Sequence, residues 1–263
     1  MRIGKQSEPF TAIATSDEHS ITVRGRDLCS ELIGKIGFTD YFFFLVTGQQ
    51  PTENQRFFLD ALMVAIAEHG LVPSVQAARM TYDAGPEAFH GAVAAGLLGC
   101  GSVVFGSSEA AGRFLHSLVE QGGDPETVAR AAVTELRAGK KPIPGYGHPQ
   151  HASGDPRANV LLKLADERGA SGAHIAMLRT VAKIVPEVVG RPLPINVSGA
   201  IPAILLDIGF PLNGLKGVPL LARTAGLIAH LTEEAERQIG FIMSHHADLA
   251  IQYDGPPAKT AEA

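Results

Sequence analysis

Cysteine is scarce in this sequence, and positive charge is not in excess. Cys29 and Cys100 are the only cysteines among 263 residues, which are too few for a disulfide framework or a four-cysteine zinc site. The formal net charge of −5 disfavours a general affinity for nucleic acid or for an anionic membrane surface. We therefore expect no nucleic-acid partner, no membrane partner and a reducing, cytoplasmic location.

Long apolar runs are also scarce. The first twenty residues lack the apolar core of a secretory signal, so we expect no export. Residues 88–108 carry no charged side chain over a length that could span a bilayer. Their five glycines and several polar side chains favour a tightly packed internal helix instead.

The apolar residues recur mainly at helical spacing, and alternating strand patterns are few. This periodicity predicts an all-α fold, and the length suits one large domain or two unequal lobes. Thr52 and Gln55 suit a capping box, and Gly70 suits a helix end, which places His69 at a helix C-terminus. Further helices are predicted over 86–99, 106–123, 124–139, 156–168, 171–184, 199–208 and 218–242, followed by a loose tail over 254–263.

Three prolines and two glycines lie close to His148 in the stretch PIPGYGHP, residues 142–149. Glycine allows backbone conformations closed to other residues, whereas proline restricts the chain. This combination of residues restricts the position of the histidine and exposes backbone N–H groups beside it. A tight surface turn with an incidental histidine is the alternative.

Arg157 lies at a predicted helix start, after Asp155 as the cap and Pro156 in the first turn. A positive charge there opposes the helix dipole and needs a compensating anion. A substrate carboxylate would serve, because guanidinium binds carboxylates bidentately. An ion pair with an acidic side chain of the protein would serve equally well.

Two further segments carry candidate groups. Arg223 and His230 are seven residues apart on a largely apolar predicted helix, so they lie near one face. Arg223 points into a site or an interface, or it extends from the edge of the core to water. Ser198 is most simply a helix N-cap, and the alternative is that it presents its hydroxyl to a ligand.

A metal site is not expected. The stretch HPQHASGD, residues 148–155, spaces two histidines and an aspartate like metal ligands. The proline between the histidines breaks the helix that would put both imidazoles on one face, and no HExxH motif supports such a site.

Taken in order, PGYGHP, DPRA, INVSGAI and ARTAGLIAHLTEE resemble segments of the citrate synthase superfamily, and the resemblance runs from about Val23 to Gly255. The closest match is the short citryl-CoA lyase branch, which is related to the C-terminal module of ATP-citrate lyase. The resemblance implies a citrate synthase-like helical fold with a large lobe over 1–112 and 215–263 and a small lobe over 113–214. It also implies a homodimer or higher homo-oligomer that binds acyl-CoA and a polycarboxylate in the cleft between the lobes.

The resemblance also implies roles for particular residues. His148 matches the family histidine that binds the oxaloacetate carbonyl or the citrate hydroxyl and acts as acid or base. The residues that match binding groups for the oxo acid or citrate are His69, Arg157 and Arg223. The backbone that matches the coenzyme A loop runs from Lys141 to Gly147 and includes Gly145 and Tyr146, and the Lys141 side chain adds a charge near the phosphates.

Two positions depart from the family pattern. Phe105 stands where citrate synthases carry the histidine of an HGGA element, a change that ATP-citrate lyase shares. Ser198 stands where the family has the aspartate of NVD, which moves the proton at the acyl-CoA carbon. No arginine near the C-terminus matches the one that the partner subunit contributes in citrate synthases.

Three hypotheses follow from these departures. The chain is a carbon–carbon lyase or synthase in which another group, such as Glu109, supplies the proton. Alternatively, it is an altered CoA-thioester enzyme, for example a hydrolase, in which Ser198 binds substrate or water. The third hypothesis is a binding protein without catalysis.

Overall fold

The computed structural model describes residues 9–101, 106–147 and 154–256, and these are mostly helical, which confirms the predicted all-α class. An antiparallel sheet of three short strands, β1 (Ala14–Ser16), β2 (Ile21–Val23) and β3 (Arg26–Asp27), precedes a π-helical turn at Leu28–Leu32. The α-helices are α1 (Phe38–Thr47), α2 (Glu53–Ala67), α3 (Pro73–Ala84), α4 (Phe89–Leu98), α5 (Gly106–Gln121), α6 (Pro125–Ala138), α7 (Pro156–Glu167), α8 (Ala173–Val189), α9 (Val197–Asp207), α10 (Gly217–Glu236) and α11 (Gly240–Ala250), with a 3₁₀ turn at Leu212–Gly214. Among the helices described, none has both the length and the apolar character needed to span a bilayer.

The chain divides into two compact units. Unit 1 comprises residues 1–65 and 105–219, and unit 2 comprises residues 66–104 and 220–263. The division into a large lobe and a small lobe, with boundaries at residues 112 and 215, stays a prediction.

Helix α9 is the central element of unit 1. It packs against α5, α7 and α8, and it is buried along most of its length. A helix that is apolar on all sides belongs in the interior, and VSGAIPAILLD has that character. At Gly112 of α5, a Cβ atom would collide with Leu215 and lie 2.9 Å from the Cβ of Pro202, so α5 approaches α9 closely. Tight packing fixes α9, and with it the backbone at its N-terminal end.

The core of unit 2 is formed by α3, α4 and α10. Val75 and Ala78 of α3, Ala92 of α4, and Leu227 of α10 are completely buried there. A Cβ at Gly96 would lie 2.8 Å from both terminal methyl groups of Leu227. Gly96 therefore allows α4 to approach α10 closely, which agrees with the tight packing predicted within residues 88–108.

Three of the predicted helix starts are confirmed by their caps. The Thr52 N–H donates to Gln55 Oε1 at 2.8 Å, and the Gln55 N–H donates to Thr52 Oγ1 at 3.3 Å, which is a capping box. Asp124 accepts from the Thr127 N–H at 2.9 Å and caps α6, and Asp155 caps α7. Local signals of this kind depend on only three or four neighbouring residues.

Three sequence-based expectations need correction. The N-cap of α9 is Asn196, whose side chain accepts from the Gly199 N–H at 3.2 Å, so Ser198 is not the cap. The predicted helix over 218–242 is two helices, because the Glu234 carboxylate accepts from two backbone N–H groups at 2.6 and 2.7 Å and starts α11 at Gly240. Helix α8 continues past the predicted end at 184 and stops at Gly190, which has a left-handed φ of 82°.

Candidate active site

The backbone that precedes His148 is hydrogen-bonded to the segment that leads into α9. The Gly147 N–H donates to the Pro194 carbonyl at 2.8 Å, and the Asn196 N–H donates to the Gly145 carbonyl at 3.0 Å. The Asn196 side-chain amide donates to the Gly147 carbonyl at 2.6 Å. Three hydrogen bonds therefore hold the loop up to residue 147, while His148 itself lies outside the described residues.

The two glycines of this loop are required by its geometry. Gly145 and Gly147 have φ values of 89° and 82°, in the left-handed region that other residues rarely adopt. A Cβ at Gly145 would lie 2.8 Å from the Gly199 Cα, and one at Gly199 would lie 2.7 Å from the Gly145 carbonyl oxygen. The loop and the first turn of α9 therefore meet backbone to backbone.

Tyr146 anchors the loop in unit 1. Its side chain is buried, and its hydroxyl donates to the Leu178 carbonyl at 2.7 Å. Burial raises the pKa of Tyr146 well above its ordinary value, which keeps the hydroxyl protonated. Because the ring faces inward, only the backbone of this residue is suited to the predicted contact with coenzyme A.

Asp155 provides the compensating anion for Arg157. The fully buried carboxylate accepts from the Arg157 N–H at 3.1 Å and from its Nε and Nη2 at 3.0 Å each. It also accepts from the Val197 N–H at 2.9 Å, which joins the start of α7 to the start of α9. An ion pair within the protein is thus present, and substrate binding by the remaining donors of this guanidinium stays a prediction.

Opposing effects act on the pKa of Asp155. Burial raises the pKa of its carboxyl, but the hydrogen bonds from Arg157 and the Val197 N–H outweigh burial and hold it below its usual value. Asp155 therefore stays ionised and fixes Arg157 at the helix start.

Ser198 is the second residue of α9, and its hydroxyl faces that of Ser107, the second residue of α5. Ser107 Oγ lies 3.0 Å from Ser198 Oγ, within hydrogen-bonding distance, and both residues are half-buried. Helix N-termini favour negative charge, so this hydroxyl pair suits an oxyanion or a polarised water. Neither hydroxyl is an effective acid or base near neutral pH.

Two other predicted groups of unit 1 lie at the protein surface. Glu109 accepts from Arg113 Nε at 3.1 Å and from its Nη2 at 3.0 Å in an i,i+4 ion pair. Lys141 is exposed, and its backbone N–H donates to the Leu136 carbonyl at 2.9 Å. The predicted contact of Lys141 with coenzyme A stays a prediction.

The remaining predicted substrate groups, His69 and Arg223, belong to unit 2. His69 follows the end of α2, and its backbone N–H donates to Glu68 Oε1 at 2.9 Å. Arg223 is only 3% exposed within α10, so it does not extend to water from the edge of the core. Burial raises the pKa of the Cys100 thiol, against the opposing effects of Ser74 and the Arg223 guanidinium. That His69 and Arg223 converge with Arg157 and His148 on one site stays a prediction.

Sequence reasoning missed two positions of the candidate site. Asn196 contacts the loop that precedes His148, and Ser107 contacts Ser198. Both carried a local signal, because asparagine and serine are among the strongest capping residues. Among the described residues, no group of three or more His, Cys, Asp or Glu side chains is arranged to hold a metal ion, and residues 148–153 lie outside them.

The fold and the candidate site define a helical protein in which a glycine-containing loop is hydrogen-bonded to the segment that leads into a buried helix. Residues 35–242 match the family model of the citrate synthase C-terminal domain, and the chain belongs to the citrate synthase family. The family that the motifs predicted is thereby confirmed.

Similarity to individual proteins agrees with this assignment. The chain is 30% identical over 212 residues to a putative citrate synthase 2 of Mycobacterium tuberculosis, covering 78% of this chain and 53% of that protein. The structure of citryl-CoA lyase from Hydrogenobacter thermophilus matches with a TM-score of 0.85 and 32% identity, over 99% of this chain and 98% of that one. ATP citrate lyase from Methanothrix soehngenii, in complex with citrate and coenzyme A, matches with a TM-score of 0.79 and 22% identity, over 99% of this chain and 44% of that one.

The chain spans about half the length of the curated citrate synthases that it matches. It spans nearly the whole of the citryl-CoA lyase. The predicted similarity to the short lyase branch is therefore confirmed at the level of the fold.

Proposed function

We propose that this protein is an enzyme of the citryl-CoA lyase type, which acts on the carbon–carbon bond between an acyl-CoA and a 2-oxo acid. Its substrate would be citryl-CoA or an analogue, and its products acetyl-CoA and oxaloacetate or their analogues. The observation that carries the proposal is the match to a citryl-CoA lyase over 98% of that chain at 32% identity.

Coenzyme A and a polycarboxylate are the proposed ligands. The structurally similar ATP citrate lyase contains citrate and coenzyme A, and the loop from Lys141 to Gly147 is the proposed coenzyme A-binding segment. Citrate carries several carboxylates, which guanidinium groups bind well. Arg157 and Arg223, with His69, are the proposed carboxylate-binding groups, and a homodimer is the proposed assembly.

Cleavage of citryl-CoA requires two proton movements. In the proposed reaction, His148 takes the proton from the citryl hydroxyl, and the carbonyl of oxaloacetate forms as the carbon–carbon bond breaks. The electrons of that bond pass into the thioester as the enolate of acetyl-CoA, which must then gain a proton at carbon. Synthesis would follow the same steps in reverse.

Ser198 makes the second proton movement slow. The hydroxyls of Ser198 and Ser107 can stabilise the enolate or orient a water molecule that supplies the proton. Loss of a positioned acid or base costs roughly 10²–10⁴ in rate. We therefore expect a turnover well below that of a site with a carboxylate at this position.

A second candidate function is hydrolysis of the thioester. The observation that favours it is the Ser107–Ser198 pair, 3.0 Å apart, which could hold a water molecule instead of an enolate. The two reactions differ in their products, because hydrolysis of citryl-CoA yields citrate and free coenzyme A.

Purified protein incubated with citryl-CoA, with the products separated by mass, tests the proposal. We expect acetyl-CoA and oxaloacetate in equal amounts, and loss of both in a His148→Asn variant. His151→Asn is the matched control, since it changes a nearby histidine without a proposed role. Citrate with free coenzyme A would instead support hydrolysis, and no turnover of any thioester offered would support a binding protein.

A further inference from the structure

The turn that carries His69 is held by the carboxylate of its neighbour, Glu68. Glu68 Oε1 accepts from the backbone N–H groups of His69 at 2.9 Å and of Gly70 at 2.6 Å. The other oxygen, Oε2, lies 3.0 Å from Nε2 of His230 on α10. One carboxylate therefore connects the backbone at His69 to an imidazole that is distant in sequence.

The tautomer of His230 is determined by Arg79. Arg79 Nη1 lies 3.1 Å from His230 Nδ1, and a guanidinium has only donors, so Nδ1 must be the acceptor. A neutral imidazole that accepts at Nδ1 carries its hydrogen at Nε2. His230 Nε2 therefore donates to Glu68, and the ring orientation is set from both sides.

Arg79 is itself rigidly held. Its side chain is only 3% exposed, and it pairs with the fully buried Glu234 and, at 2.9 Å, with Glu233. The Nη2 group also donates to the Arg237 carbonyl at 3.4 Å. A guanidinium fixed by so many partners gives His230 a stationary donor on its Nδ1 side.

The packing of α10 brings His230 to this turn. A Cβ at Gly226 would collide with the Ala67 carbonyl oxygen at the end of α2. Gly226 and His230 are four residues apart and share one face of α10, which Arg223 also joins three residues earlier. The glycine thus allows the helix to approach closely enough for the imidazole to reach Glu68.

We propose that His230 is a positioning residue that fixes His69 through Glu68, with Arg79 holding the imidazole as a neutral Nε2–H donor. The inference rests on the proposed function, in which His69 binds the polycarboxylate. Burial raises the pKa of Glu68, but hydrogen bonds from His230 and Gly70 outweigh it and hold the pKa below its usual value, so the acceptor stays ionised. Loss of the imidazole donor should loosen the turn and weaken polycarboxylate binding, while the coenzyme A loop of unit 1 is unaffected.

Calorimetric titration of citrate and of coenzyme A, on three variants of the full chain, tests this role. His230→Leu removes both hydrogen bonds and should raise the Kd for citrate about tenfold, as expected for one lost charge-assisted hydrogen bond. The Kd for coenzyme A should stay within about twofold. His230→Gln keeps an acceptor for Arg79 and a donor for Glu68 and should restore most of the citrate affinity, and His246→Leu, on the exposed side of α11, is the control.

Several results would overturn the positioning role. These are unchanged citrate binding in His230→Leu, an equal loss of affinity for both ligands, or a glutamine variant as weak as the leucine variant. In addition, ¹⁵N NMR spectra of the unmodified protein should show that the His230 ring is protonated at Nε2 and unprotonated at Nδ1. The opposite tautomer would contradict the hydrogen-bond assignment.

Hydrogen exchange separates this inference from the proposed function. The amides of His69 and Gly70 should exchange faster in His230→Leu than in the unmodified protein or in His230→Gln. If the unmodified protein binds neither citrate nor coenzyme A, the proposed function fails, and this exchange pattern still decides whether His230 fixes the turn. Equal exchange in all variants would refute the positioning role whatever the ligand.

Discussion

Gly199→Ala should disrupt the contact between the loop before His148 and helix α9. The new Cβ would lie 2.7 Å from the Gly145 carbonyl oxygen, whereas ordinary contacts begin at 3.4 Å, so the two backbones must separate by about 0.7 Å. Overpacking of this kind costs about 1–3 kcal/mol. Weakening the 3.0 Å hydrogen bond from Asn196 to Gly145 adds about 1 kcal/mol. We therefore expect the free energy of unfolding to fall by about 2–4 kcal/mol.

Urea unfolding followed by circular dichroism measures this change. Gly217→Ala is the matched control, because a Cβ at that position, the start of α10, meets no atom within 4 Å. The control should stay within about 0.5 kcal/mol of the unmodified protein. Under the proposed function, turnover in Gly199→Ala should also fall about 10- to 100-fold, because a displaced loop misplaces His148. If Gly199→Ala and its control were equally stable, the close backbone contact would be refuted.

Two further predictions concern buried ionised groups. Glu234→Leu leaves Arg79 buried without its main partner and should lower the free energy of unfolding by about 3–5 kcal/mol in urea titrations; a loss below about 1 kcal/mol would contradict the buried pair. For Asp207, burial raises the pKa, but hydrogen bonds from His174 and the first N–H groups of α8 outweigh it and hold the pKa below its usual value. A group with a lowered folded-state pKa stabilises the protein above its unfolded pKa of about 4 and loses that contribution as the pH falls through the folded value. Stability should therefore decline as the pH falls below about 5, and Asp207→Asn should flatten that decline; an unchanged slope would refute the assignment.

The helix starts show what local sequence can predict. Asp124 and Asp155 each precede a proline at a first helical position, and both are caps, because the capping hydrogen bonds involve only neighbouring residues. Asn196 and Ser198 are both good capping residues, and local preference does not choose between them. The choice depends on tertiary structure, since Asn196 also donates to the carbonyl of Gly147.

Less of the candidate site could be predicted from the local sequence. Glycines at 145 and 147 predicted an unusual backbone, and their left-handed φ values agree with that prediction. The partner of this loop, the segment before α9, is distant in sequence, and no local pattern predicts such a contact. The break between α10 and α11 was missed for a similar reason, because no proline marks it and the capping Glu234 lies inside the preceding helix.

Cleavage of citryl-CoA by Ser198→Asp, compared with the unmodified protein, tests the central claim most directly. The new carboxylate would lie beside the Ser107 hydroxyl at the N-terminal ends of α5 and α9, where a negative charge is favoured. We expect the rate of acetyl-CoA release to rise roughly 10²–10⁴-fold, because the proton at the acyl-CoA carbon regains a positioned carboxyl group. A variant that folds and releases acetyl-CoA no faster than the unmodified protein would contradict the claim that this site is built for carbon–carbon cleavage of a CoA thioester.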